Sequence, residues 1–379
     1  MNDEQKEQMN RTDAVTPANL RNVWIWAITL IVIFVVAALI TTIVLYKDKV
    51  EAVERHRDRM NSEIGEGGSQ PPSSVPPEGT NQVTTGIYVD RIISLSIKKT
   101  GWTVDFYVWF RWKGAGADPG EKLQVVDGSI ESKEKVEEYT RGSERYVLYR
   151  VVARITKFFD VSRFPRDDHV LTISLESHAS ERRELLFVAD QESSGISSRV
   201  QIPGYSIYRH AVIEKPHAYV SNHGDPRLAG GMEKVQSQLR IGIWIHRWGW
   251  GFYLKMFVAL FAAVGVALIA FFIKPSDVDP RFGLGIGALG AVIVNTYVTS
   301  TLVPDTGVLT LADLVNHVAI VTITLSLMQS AISLYLYERR GKKELSRFFD
   351  TVSFPVFLVG YVIVNLSLPI SATLWVAAG

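Results

Sequence analysis

Residues 251–273 read GFYLKMFVALFAAVGVALIAFFI, an apolar run interrupted by a single charge, Lys255. A helix rises 1.5 Å per residue, so about 20 such residues cross a hydrocarbon core. Working outward, four more runs share this character: Val23–Tyr46, Phe282–Val303, Leu311–Tyr337 and Val352–Ala378. Phe282–Val303 is rich in Gly and Thr and is the least lipophilic of the set. Trp24, Trp26, Trp248, Trp250 and Trp375 lie near run ends, where aromatic belts meet the headgroups. These runs make the chain an integral membrane protein.

Bulk composition hides this division. Charged residues are 21% of the chain and hydrophobic ones 47%, ordinary values for a soluble protein, so the signal lies in their segregation. A net charge of +1 with no basic stripe argues against nucleic acid as a partner. The chain has no cysteine, which excludes disulfides, zinc-thiolate sites and cysteine nucleophiles. Enzyme signatures such as HExxH and GxSxG are missing, and neither a cofactor nor an enzymatic activity is expected.

The first run is longer than a signal-peptide core and no small-x-small site follows Tyr46, so it reads as an uncleaved anchor. The loop after the fourth run carries Arg339, Arg340, Lys342, Lys343 and Arg347, which places it in the cytoplasm, while Pro304–Thr310 carries no Lys or Arg. Threading back puts Met1 inside and the domain before Gly251 outside or in a periplasm, with the chain in the cell (inner) membrane. Lys47, Lys49, Arg55, Arg57 and Arg59 run against this orientation, but a long translocated domain follows them and such segments obey the rule poorly.

Between anchor and bundle the period changes to two. Trp102, Val104, Phe106, Val108, Phe110 and Trp112 alternate with mostly polar neighbours, and Val235–Ile245 and Leu171–Leu175 repeat the pattern. Breaks at Gly114–Gly120 and Asn222–Gly231 supply turns. The expected organisation is a cytoplasmic tail (1–22), an anchor (23–46), a linker (47–82), an antiparallel β-sandwich (83–247) and a four-helix transmembrane domain (248–379). Within the linker, Lys47–Ile64 is polar with a helical reading open, and Gly65–Thr80, GEGGSQPPSSVPPEGT, has a spacer's composition.

Gly285, Gly287 and Gly290 spell GxGxxG, but the dinucleotide fingerprint needs a preceding strand, and here it lies in a membrane run. Close helix packing is the expected role. Asp313 and His317, one turn apart near the start of the fourth run, are open to a functional role or to an interhelical hydrogen bond.

Phe159-Asp160, then Phe164-Pro165-Arg166-Asp167-Asp168-His169 with Leu171, Ile173 and Leu175 behind it, resembles the signature loop and strand of the pentameric ligand-gated ion channels, in a bacterial form without the loop cysteines. Other landmarks follow in order: Trp109-Phe110-Arg111-Trp112, Arg247 with Phe252-Tyr253-Leu254, Pro280-Arg281-Phe282-Gly283, Pro304 and Asp313. The resemblance covers Val83–Gly379. Departures from the pattern are Leu260 in place of a Pro, the extra anchor, and Gly290 where the pore commonly carries a large apolar residue.

The resemblance implies a homopentamer in membrane lipid, opened by a small molecule or by protons and passing ions along its axis. Gly283, Gly287, Gly290, Val294, Tyr297 and Thr301, spaced three or four apart, would line the pore. Asp279 would favour cations at the inner mouth, with Arg281 opposing or pairing with it. Asp167 and Arg247 would form a coupling pair, and Pro304 would end the pore helix. Trp112, Tyr149 and Tyr205 would be aromatic ligand contacts. A non-conducting oligomeric receptor or scaffold of the same fold is the alternative.

Overall fold

The computed structural model describes residues 16–63, 79–114, 116–178, 180–219, 221, 234–247 and 249–373. The spacer from 65 to 78, the break at 222–231, Trp248 and Trp375 therefore lie outside the described residues. The chain divides into two compact units. One comprises Met1–Val50, Val161–Asp167 and Gly249–Gly379, and the other Glu51–Asp160 and Asp168–Trp248.

The second unit is a two-sheet β-domain. Its strands are β1 (Asn81–Ser96), β2 (Gly101–Lys113), β3 (Leu123–Val126), β4 (Gly128–Arg141), β5 (Glu144–Thr156), β6 (Asp168–Ser177), β7 (Leu185–Ala189), β8 (Gly195–Ile196), β9 (Tyr205–Tyr219) and β10 (Lys234–Arg247). The larger sheet runs β4-β5-β2-β1-β7 with β8 also on β1, and the smaller runs β3-β6-β10-β9. Pairing is antiparallel except where β1 meets β7 and β8, two parallel contacts that the alternation does not reveal.

Period-two burial explains why these segments become strands. Trp102, Val104, Phe106, Val108, Phe110 and Trp112 of β2 and Val147, Val151 and Ala153 of β5 all turn inward. Gly86 of β1 faces Trp109 of β2 across the ladder. A Cβ at Gly86 would collide with the indole, so only glycine lets that ring lie over the neighbouring strand.

Five helices are long and apolar enough to cross a membrane. They are α1 (Pro17–Arg59), α2 (Gly251–Ile269), α3 (Val278–Ser300), α4 (Leu311–Leu334) and α5 (Lys343–Thr373). A short 3₁₀ turn over Ala270–Phe272 extends α2, and a π turn over Tyr335–Arg339 extends α4. The protein is a multi-pass membrane protein with an N-terminal helix, a β-sandwich and a four-helix bundle. Helix α1 does not stop at Tyr46 but continues through the polar segment to Arg59, and its part beyond Val50 belongs to the β-unit.

Within the helical unit α1 packs along α5. Trp26 meets Phe349 and Phe34 meets Phe357, each pair 6.0 Å between ring centroids. Gly360 makes room for Phe34, since any Cβ there would strike that ring. Lys342 Nζ donates to Asn19 Oδ1 at 3.3 Å. Helix α4 starts with a capping box: Thr310 Oγ1 accepts from Asp313 N at 3.2 Å, and Thr310 N donates to Asp313 Oδ2 at 2.9 Å. Asp313 is thus a helix cap, while His317 is exposed.

Candidate functional site

Helix α3 buries one narrow stripe. Arg281, Gly285, Ala288, Val292 and Thr299 turn inward, at the three- and four-residue spacing of a single helical face. Gly285 lies so close to Leu327 of α4 that a Cβ would overlap the leucine, whereas Gly283, Gly287 and Gly290 meet nothing within 4 Å. Of the three glycines in the GxGxxG stretch, then, only Gly285 serves close packing. Asn295 Nδ2 donates to Asn316 Oδ1 at 2.8 Å, and Asn316 Nδ2 donates to Thr299 Oγ1 at 3.1 Å, tying α3 to α4.

The opposite face is bare. Gly283, Gly287, Gly290, Val294, Tyr297 and Thr301 are all exposed, as is Asp279. Val294 is 63% and Tyr297 71% exposed. Helix α3 has the lowest mean hydropathy of the five helices, yet only 22% of its apolar window is buried, against 39% in each of α2, α4 and α5. The bundle helix least suited to lipid is the one the chain leaves most uncovered.

Arg281 departs from the sequence expectation of a group at the helix mouth beside Asp279. Its phase matches Gly285 and Ala288, so it points inward and is wholly buried. It donates to Ile273 O at 2.9 Å and to Asp350 Oδ1 of α5 at 2.8 Å. Ser333 Oγ of α4 donates to the other Asp350 oxygen at 2.7 Å. A buried guanidinium needs a counter-charge, and Asp350 supplies it from sixty-nine residues away.

The loop Val161–Asp167 is part of the helical unit. Its carbonyls Ser162 O and Phe164 O accept from Leu311 N at 2.8 Å and Ala312 N at 3.0 Å, the first backbone donors of α4, which have no partner inside their own helix. Phe164, followed by a cis peptide to Pro165, meets Phe252 edge-on at 6.1 Å between centroids. Arg166 donates Nη1 to Gly249 O at 2.6 Å and lies 4.8 Å over the Trp250 ring. One loop therefore grips the starts of two helices, α2 and α4.

Asp167 is buried in the helical unit, while Arg247 ends β10 in the β-unit. There Arg247 donates Nη2 to Tyr205 Oη at 2.5 Å with its guanidinium 4.5 Å over the same ring. Pro304 follows α3 and is half-buried.

The three aromatics belong to two sheets. Trp112 and Tyr149 lie on the neighbouring strands β2 and β5, both 3% exposed. The Tyr149 hydroxyl donates to Asp118, and burial together with that carboxylate raises its pKa well above the ordinary value. Tyr205 opens β9 in the smaller sheet.

Sequence reading missed a buried polar cluster in the smaller sheet. Glu176, fully buried, receives His217 Nδ1 at 2.5 Å, Gln238 Nε2 at 2.7 Å, Tyr219 Oη at 2.8 Å and Gln124 Nε2 at 2.9 Å. Burial pushes its carboxyl pKa up, but the hydrogen bonds from His217, Gln238 and Tyr219 outweigh this and hold it below the usual range. The signal was present as polar residues on four paired strands, β3, β6, β10 and β9. Among the described residues no group of His, Cys, Asp and Glu suited to a metal ion occurs. No family model matches the chain, and no curated protein matches it.

Proposed function

We propose that the chain is one subunit of a homopentameric ligand-gated ion channel, with α3 lining the axis. The observation that supports this is the bare, least lipophilic face of α3. A face of three glycines, a threonine, a valine and a tyrosine offers less apolar surface to hydrocarbon than the other bundle helices do, so copies of α3 around a water-filled axis suit it better. The resemblance of Val83–Gly379 to such channels supplies the stoichiometry and the coupling roles of Asp167, Arg247 and Pro304. In this reading Asp279 rings the inner mouth and favours cations, the β-sandwich lies outside or in the periplasm, and the N-terminus is cytoplasmic. The agonist, a small molecule or the proton, acts through Trp112, Tyr149 and Tyr205.

Apolar rings gate by excluding water, and glycine rings leave the axis open. The constriction is accordingly assigned to Val294 and Tyr297. The protein has no native cysteine, so single cysteines at Gly283, Gly290, Val294 and Thr301 report directly on access. With the protein in planar bilayers, a charged thiol reagent applied from the sandwich side to the closed channel should react with T301C and reduce the current seen on later opening, and should react with G290C only once the channel is open. Fast reaction of G290C in the closed state would place the gate further in. The alternative, a non-conducting oligomeric receptor or scaffold, draws on the same bare glycines, which offer no side chain for selection. Five-fold particles without unitary current at any ligand or pH tried would decide for it.

A further inference from the structure

Helix α1 ends inside the β-unit on a set of cations. Lys215 Nζ of β9 donates to Asp58 O at 2.9 Å, and Arg240 Nη1 of β10 donates to Arg59 O at 3.0 Å. These carbonyls belong to the last turn of the helix, where the macrodipole is negative and positive groups are favoured. Met60 then lies over Gly242, where a side chain would displace it.

Beside this junction is a cavity of about 650 Å³, within the range that holds small ligands. Arg55, Arg59, Lys157, Lys215 and Arg240 line it, against the carboxylates of Asp58 and Asp127. Thr172 and Ser174 add hydroxyls from β6. Arg55 is half-exposed at one side and pairs with Asp160. Phe158, 68% exposed, stands at the rim.

Lys157 is the exception among these cations. Its Nζ is buried and has no hydrogen-bond partner among the described residues; a ring, Phe159, lies 6.0 Å away. A buried ammonium without a partner is costly, and a water, an ion or a ligand would relieve that cost. The neighbouring positive charges of Arg59 and Arg240 aggravate that cost.

We infer that this cavity is a binding site for a small multivalent anion, phosphorylated or polycarboxylic, with Lys157 as the group the anion completes. The excess of cations over carboxylates sets the sign, the enclosed volume sets the size, and Thr172 and Ser174 offer donors to oxyanion oxygens. The site shares no residue with the exposed face of α3 or with the three aromatics, and it does not depend on whether the chain conducts.

Burial, then the charges of Arg59 and Arg240, push the pKa of Lys157 down to about 7, with Asp127 acting the other way. An anion contacting the amine restores its proton. Binding should thus take up a proton above pH 7 and weaken as pH rises.

The test uses the full chain in phosphatidylcholine nanodiscs, titrated calorimetrically with pyrophosphate at pH 6.5 and 8.5 in two buffers of different ionisation enthalpy. Wild type should bind about 25-fold more tightly at pH 6.5 than at pH 8.5, the change in the protonated fraction of an amine with a pKa of about 7. Proton uptake at pH 8.5 should vanish in Lys157→Met, together with most of the affinity. That variant fills the same space without charge, so its own melting temperature should not fall, and Lys122→Met serves as an exposed control. If pyrophosphate fails but discs doped with phosphatidic acid, whose headgroup is a phosphomonoester, raise the melting temperature of wild type and not of Lys157→Met, the anion is a lipid headgroup. Equal binding by wild type and Lys157→Met, or no response to either anion, would overturn the site.

Discussion

Glu176 of the β-unit and Arg281 of the helical unit are both buried charges, and they are satisfied in opposite ways. In the β-unit the carboxylate of Glu176 is shared among His217, Tyr219, Gln238 and Gln124, mostly neutral donors arranged on paired strands. In the helical unit Arg281 relies chiefly on one counter-charge, Asp350, with Ser333 and Ile273 O as support. Strands place several side chains of one face within reach of a point, so a charge can be spread over a network. Helices offer one residue per turn to a neighbour, so the charge is met by a single strong partner. The first arrangement tolerates loss of a member better than the second.

The largest effect should therefore come from Asp350→Ala, which strands a fully buried guanidinium. We expect a loss of about 3–5 kcal/mol, seen as unfolding or failed assembly in detergent. Replacing both partners, Arg281→Met with Asp350→Leu, should recover most of that loss. If the double variant is as unstable as the single, the pair is not the source of the stability.

Next in size is Glu176→Ala, which leaves several buried donors without an acceptor and should cost about 1–3 kcal/mol in thermal melts. Its pH dependence has a definite sign. The carboxyl of Glu176 is held below its ordinary value in the folded state, so its contribution is present above the unfolded value and lost as pH falls through the folded one. Wild type should lose stability on acidification below about pH 4.5 more steeply than Glu176→Gln. Parallel curves would mean that the network does not hold the charged form.

Arg166→Ala removes a hydrogen bond to Gly249 O and a stacked cation, and should cost about 1 kcal/mol while altering the kinetics of any current. At the small end, the exposed pair Glu344–Arg347 of α5 should contribute no more than about 0.5 kcal/mol in a double-mutant cycle. A larger coupling there would undo the ordering from buried to exposed.

What could be read from the chain follows the same physics. The alternation from Trp102 to Trp112 gives β2 its inward face because burial in a strand is local and periodic. The runs of apolar residues give all five helices, and the three- and four-residue spacing from Gly283 to Thr301 picks out a face of α3 that is in fact exposed. Arg281 could not be placed, because its direction depends on Asp350, a partner from another helix. The continuation of α1 to Arg59 was likewise ambiguous, since its last carbonyls are held by Lys215 and Arg240 from distant strands. Lys157 looks like a surface lysine between two exposed neighbours, and only tertiary packing encloses it.

The grip of the Val161–Asp167 loop on α4 also sets an order of events during synthesis. Leu311 N and Ala312 N find their acceptors on Ser162 and Phe164, residues that leave the ribosome long before α4 does. The loop must therefore wait, already made, while α2 and α3 enter the bilayer, and the first turn of α4 closes only when it arrives. A chain truncated just before Leu311 would hold a loop whose carbonyls at Ser162 and Phe164 lack these two donors.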